Sequence, residues 1–156
     1  MPVSVLLADD SDVMLKAMRK FLDEDLRIEV VGEASTFAET MQMIADCKPD
    51  VLLLDLHIPE ARGFTPAFVR SQLVSVDCST IAVSFSNDSE AKALAESYGA
   101  SSLLDKMSLY SEMIPAILRC ANRTIPQGAL PNRYRVKKIF YRPIKETKGA
   151  VSKHAA

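Results

Sequence analysis

The chain has 156 residues, 48% of them apolar, which suits one domain with a sizeable core and a short appendage. No apolar run approaches the length that spans a bilayer, and the opening "MPVSVLLADDSD" lacks the basic flank of a signal peptide. The net charge of −1 hides a split: residues 1–123 carry 11 Lys and Arg against 19 Asp and Glu, while residues 124–156 carry eight basic residues against Glu146 alone.

That split implies an acidic globular body, residues 1–123, and a basic tail, residues 124–156. Three cysteines, Cys47, Cys78 and Cys120, are far apart and odd in number. They form no disulfide framework and no metal spacing, and are expected to act as small, mostly buried hydrophobes. A reducing, cytoplasmic setting is the default expectation.

Strand and helix signals alternate through the body. "VSVLLA" (3–8) is a short apolar run. Ser11 then offers an N-cap to a helix with Met14, Met18, Phe21 and Leu22 at helical spacing. "IEVVGE" (28–33) alternates and is expected to turn at Gly32. Thr36 and Glu39 have capping-box spacing, and Phe37, Met41, Ile44 and Ala45 follow as an apolar stripe that Pro49 stops. "VLLLD" (51–55) reads as a strand buried on both faces. Thr65 and Pro66 suit the N-cap and N1 positions of a third helix. "TIAVSF" (80–85) is the next strand. Asp88 or Ser89 caps a helix through Tyr98, with Gly99 at its C-terminal exit. "SSLLDK" (101–106) is a weak last strand. A final helix from about Ser111 places Pro115 near its first turn.

Five strand–helix units predict an α/β fold: a doubly wound, five-stranded parallel sheet in the flavodoxin-like order 2-1-3-4-5, with helices on both faces. Ligands in such sheets bind outside the carboxyl ends of the strands. Four of those ends carry polar groups: Asp9 and Asp10, then Asp55, Ser84 and Lys106. Three carboxylates in one pocket repel unless a cation sits among them. Oxygen ligands with open water positions suit Mg²⁺, which makes Asp9, Asp10 and Asp55 the metal candidates. A cation there would hold a phosphoryl group against Asp55, whose carboxylate is the candidate nucleophile. Ser84 would donate a hydrogen bond and Lys106 would neutralise a phosphoryl oxygen. Each acid alone has a plainer reading, as a helix-start charge or a strand terminator. Their joint placement at four strand ends favours the chemistry.

The motifs "LLADDSD", "PDVLLLDLHIPEARG", "TIAVSFS" and "YGASSLLDK" resemble a response-regulator receiver domain of two-component signalling, over roughly residues 3–121. The resemblance implies Asp55 as phosphoacceptor, Asp9 and Asp10 as acidic Mg²⁺-site residues, Ser84 as switch hydroxyl and Lys106 as phosphoryl contact. It also implies a histidine kinase or a histidine phosphotransfer protein as donor. The opening third is similar to the branch that usually carries a C-terminal helix-turn-helix. Three positions depart from the pattern. Leu103 stands where an aromatic residue is frequent, and leucine has no polar edge to trade between water and core. Phe85 stands where a small residue is usual, and narrows access to Asp55. Met107 stands where many receivers have proline. His57, two residues past Asp55, reads as a variable loop side chain.

The tail breaks the rhythm with Pro126, Gly128, Pro131 and Pro143, and is too short for the usual helix-turn-helix. Its centre, "RYRVKKIFYRPI", is compatible with a solvated basic tail, a docking peptide or a nucleic-acid contact, in that order of preference. The +7 tail is also complementary to the −8 body. The expectation is a single-domain response regulator that switches partner binding through the face of helix four, strand five and helix five, which is also a homodimer surface by resemblance. It is not expected to be an enzyme beyond phosphotransfer and slow dephosphorylation at its own Asp55. The alternatives are a phosphate-independent, receiver-like scaffold and a tail that binds nucleic acid or a partner. An aspartate-nucleophile phosphatase is disfavoured, because His57 occupies the place of the general acid.

Overall fold

The computed structural model describes residues 1–121. The basic segment 124–156, with His154 and the docking and nucleic-acid contacts expected of it, lies outside the described residues. Five strands alternate with five helices: β1 Val3–Ala8, α1 Asp12–Leu22, β2 Ile28–Ala34, α2 Phe37–Cys47, β3 Val51–Asp55, α3 Pro66–Ser75, β4 Ser79–Ser84, α4 Ser89–Ser97, β5 Ser102–Asp105 and α5 Leu109–Cys120. The strands form one sheet in the order β2-β1-β3-β4-β5, with every pairing parallel. This is the expected doubly wound architecture. No helix among the described residues is long and apolar enough to cross a membrane.

The two faces follow from strand parity. Side chains alternate across a sheet, so i and i+2 share a face. Val5, Leu7, Val51, Leu53, Ile81 and Val83 pack with Leu15 and Met18 of α1 and with Met113 and Ile117 of α5. The intervening Leu6, Ala8, Leu52 and Leu54 pack with Phe37 and Ile44 of α2 and with Val69 and Leu73 of α3. A smaller alanine-rich cluster, Ala82, Ala95 and Ala100, seats α4, and Leu103 packs against it. β3 is buried along its whole length, because it is central and covered on both sides.

Local signals set most helix starts. The side chains of Ser11, Thr36, Thr65 and Asp88 each accept a backbone N–H from the first turn of their helices. Gly99 leaves α4 with φ +74°, a conformation that favours glycine.

Three local expectations change. Gly32 lies inside β2, not at a turn. The register shifts between Val5 and Leu6, so Val31 bulges and Gly32 passes close to α2, where an added Cβ would meet Met43 Sδ at 2.9 Å. The last helix begins at Leu109, preceded by a tight turn over Lys106–Ser108. Leu109 is fully buried, and the helix starts early enough to insert it into the core. Pro115 therefore lies within α5, not in its first turn. The third change is Cys47, which is exposed at the end of α2, while Cys78 is buried and Cys120 is half-buried.

Two substitutions measure this account. Leu53→Ala leaves a cavity between β3 and the α1–α5 layer and costs about 2–5 kcal/mol in urea unfolding. Lys48, which ends α2 at φ 44°, gives the opposite sign: Lys48→Gly relieves the left-handed backbone and stabilises by about 1 kcal/mol.

Candidate functional site

The chain order of the sheet puts the ends of β1 and β3 side by side, with β4 and β5 next. Asp9 follows β1, Asp55 ends β3, Ser84 ends β4 and Lys106 follows β5. Asp9 and Asp55 are buried, and Asp10 is exposed. One carboxylate oxygen from each of Asp9, Asp10 and Asp55 lies within 4.8 Å of the others. The Lys106 ammonium donates to Asp9 Oδ2 at 2.8 Å and lies 3.3 Å from Asp55 Oδ1. Its side chain is 5% exposed. The structure therefore brings together four of the five residues singled out from the sequence. Ser84 is the fifth. It is buried at the adjacent strand tip, one position beyond Val83, the ladder partner of Asp55.

A repeated device fixes these tips. The Ser11 N–H donates to Asp9 Oδ1, the His57 N–H to Asp55 Oδ1, the Ser86 N–H to Ser84 Oγ and the Met107 N–H to Asp105 Oδ1. Each side chain accepts from the backbone two residues on, which closes a small turn and aims the side chain at the same time. Spacing in the sequence did not reveal these bonds. The available signal was the residue type: Asp and Ser at strand exits form such turns readily.

Burial comes first in raising the Asp55 pKa above the usual carboxylate range. The His57 N–H opposes that rise, and the neighbouring Asp9 charge adds to it. Burial also works against the Lys106 charge. The hydrogen bond to Asp9 and the Asp55 charge outweigh it, and the lysine pKa rises. Three carboxylates face one ammonium, so the pocket keeps an excess of negative charge. Asp55 Oδ2 is buried and accepts no hydrogen bond from any described residue. A buried acceptor left without a partner is costly. An oxygen-only donor set, excess negative charge and an unsatisfied carboxylate oxygen fit a hard divalent cation such as Mg²⁺.

Two side chains complete the rim. The His57 imidazole, largely exposed, places Nδ1 3.4 Å from Asp55 Oδ1. The Phe85 ring lies beside Lys106, its centroid 5.0 Å from Nζ.

The response regulator receiver domain model matches residues 5–118. The chain belongs to the response regulator receiver family. A protein-glutamate methylesterase/protein-glutamine glutaminase of Cereibacter sphaeroides is 35% identical over 140 residues, which cover 81% of this chain and 38% of that protein. The chain spans about a third of the length of the curated methylesterases it matches. Among solved structures, the signal receiver domain of the response regulator NarL from Mycobacterium tuberculosis superposes with a TM-score of 0.68 at 28% identity. It covers 78% of this chain and 97% of its own. The response regulator domain of Thermotoga maritima CheB shares the fold, with a TM-score of 0.68 at 21% identity, covering 80% of this chain and 100% of that one.

The electrostatics give a pH test. Asp55 binds its proton more tightly folded than unfolded, so the metal-free receiver loses stability as pH rises from the unfolded carboxylate value through the raised folded one. Asp55→Asn removes that loss and stabilises the metal-free protein at neutral pH by about 1 kcal/mol. Mg²⁺ then raises the melting temperature of the wild type but not of the variant. Lys106 has the opposite sign. Its stabilisation is complete below the ordinary lysine value of 10.5 and is lost as pH rises through the raised one.

Proposed function

We propose that this receiver is a phosphorylation-driven binding switch with Asp55 as phosphoacceptor. The observation that carries the reading is the buried Asp55 carboxylate, with one oxygen unsatisfied, set among Asp9, Asp10 and Lys106. The donor is a phosphohistidine on a histidine kinase or a phosphotransfer protein. An Asp55 carboxylate oxygen attacks phosphorus. The new O–P bond forms as the P–N bond breaks, and the electron pair leaves with the imidazole, which takes up a proton. Asp9, Asp10 and Asp55 would hold a magnesium ion, which would supply charge neutralisation for the incoming phosphoryl group.

Lys106 shifts its contact from Asp55 to a phosphoryl oxygen while its hydrogen bond to Asp9 anchors it. The Ser84 hydroxyl already accepts from the Ser86 N–H, so its own O–H is left to donate to the phosphoryl group. Drawing Ser84 and Lys106 inward moves the loops after β4 and β5. Those loops border α4, β5 and α5, the face through which a downstream partner or a second copy binds. Met107 and Tyr110 are exposed large side chains at the β5–α5 junction. The enzymic activity named for the methylesterase relatives belongs to those proteins. For this chain we propose only phosphotransfer to Asp55 and slow hydrolysis there.

A second reading, a scaffold that signals without phosphate, is favoured by one observation. Leu103 already packs against Ala82, Ala95 and Ala100, and so offers no polar ring to swing on phosphorylation.

Intact mass after incubation with acetyl phosphate and Mg²⁺ separates the two. One phosphoryl adduct on the wild type and none on Asp55→Asn supports the switch, and chelating Mg²⁺ slows loading about a hundredfold. A folded wild type that takes no phosphate from acetyl phosphate or a phosphohistidine donor supports the scaffold.

A further inference from the structure

His57 lies two residues past Asp55, in the loop that leaves β3. Its backbone is held to the strand tip, since the His57 N–H donates to Asp55 Oδ1 at 3.1 Å. Its imidazole turns back onto the same carboxylate, with Nδ1 3.4 Å from Oδ1. The side chain is 59% exposed, so packing in the core does not account for that orientation. The proposed phosphotransfer gives the ring no part. The separation is longer than an ordinary hydrogen bond. It is close to the spacing of two donors on one metal: with bonds of about 2.0–2.1 Å to nitrogen and to carboxylate oxygen, neighbouring ligands of a tetrahedral ion stand about 3.3 Å apart. On the same carboxylate, Asp55 Oδ2 is buried and accepts no hydrogen bond from any described residue. Asp9 and Asp10 each bring a carboxylate oxygen within 4.8 Å of one from Asp55. A histidine that only paired with Asp55 would leave Oδ2 unsatisfied. A cation shared by the ring and the carboxylates would satisfy it.

Ligand chemistry says which cation the ring favours. Mg²⁺ takes oxygen donors and keeps its waters, so it gains little from an imidazole. Imidazole suits Zn²⁺, Ni²⁺ and Cu²⁺. We propose that the His57 imidazole is a further ligand at the strand-tip site, and that it lets the receiver take a borderline transition-metal dication, with Zn²⁺ as the type, on the carboxylates that would hold Mg²⁺. This rests on the reading of Asp9, Asp10 and Asp55 as a cation site. The ring stands at the edge of the three-carboxylate group, and its exposure lets it turn toward them without disturbing the core. Both ions need Asp55, so the receiver holds one or the other.

Calorimetric titrations of the untagged chain with Zn²⁺ and with Mg²⁺ test the proposal, on wild type, His57→Ala, Asp55→Asn and His154→Ala. The last removes the other of the two histidines in the sequence. His57→Ala is expected to weaken Zn²⁺ about a hundredfold, at the upper end of what loss of an outer-shell partner costs, and to leave Mg²⁺ binding unchanged. Asp55→Asn weakens both ions, and His154→Ala neither. In NMR spectra of the wild type, the His57 Nδ1 signal shifts with Zn²⁺ and holds with Mg²⁺. Wild-type Zn²⁺ affinity in His57→Ala, equal weakening of both ions there, or an Nδ1 signal that ignores Zn²⁺ would overturn the ligand role. Mg²⁺ binding that Asp55→Asn abolishes would then leave the cation site standing. Failure of either ion to depend on Asp55 would sink the ligand role and the cation site together.

Discussion

One ammonium group lies between two buried carboxylates, and the site is organised around it. Lys106 reaches from the end of β5 to Asp9 after β1 and to Asp55 at the tip of β3. Removing charges from water is expensive, and a buried pair repays it only with close geometry and further hydrogen bonds. Both are present. Asp9 also receives the Ser11 N–H, and Asp55 the His57 N–H. Yet one lysine does not balance three acids, and Asp55 Oδ2 stays unsatisfied. The fold stores an electrostatic deficit at a single place. A hard cation and a phosphoryl group are ligands that such a deficit attracts.

The deficit is tolerable because the frame beneath it is stiff. β3 is buried throughout and paired on both sides, so Asp55 projects from the most constrained strand of the sheet. The small turns that follow β1, β3 and β4 tie Asp9, Asp55 and Ser84 to their own backbone, and a fourth ties Asp105, next to Lys106. The proposed phosphotransfer to Asp55 would therefore touch the loops. A ligand that pulls on Ser84 or Lys106 pulls on Phe85, Ser86 or Met107 as well. The proposed coupling would need no long pathway, since these loops are covalently next to the site side chains.

Family membership and individual behaviour separate along the same line. The shared fold accounts for where Asp9, Asp10, Asp55, Ser84 and Lys106 lie. Around that set lie His57 beside Asp55 and Phe85 against Lys106, with Leu103 packed on the alanine cluster under α4. His57 touches Asp55 and Phe85 touches Lys106 without either being part of the oxygen donor set, whereas Leu103 lies on the alanine cluster. They can alter rates and readout while leaving the reaction itself unchanged.

By itself the sequence determined the element order and the sheet type, and it singled out the polar residues that the strand tips bring together. Alternation of β-rich and helix-period segments leaves little choice but a parallel sheet, and Ser11, Thr36 and Thr65 mark their helices through purely local hydrogen bonding. Such signals act over a few residues and can be read without the fold. The tertiary structure decided what depends on distant neighbours. Gly32 became a bulge neighbour and not a turn because Met43 and Leu6 occupy the space beside it. The last helix starts at Leu109, and takes Pro115 inside it, because the core accepts Leu109. The Lys106–Asp9 contact joins residues 97 positions apart. No local pattern encodes that distance, and only the closing of β5 against β4 and of β3 against β1 brings ammonium and carboxylates within hydrogen-bond reach.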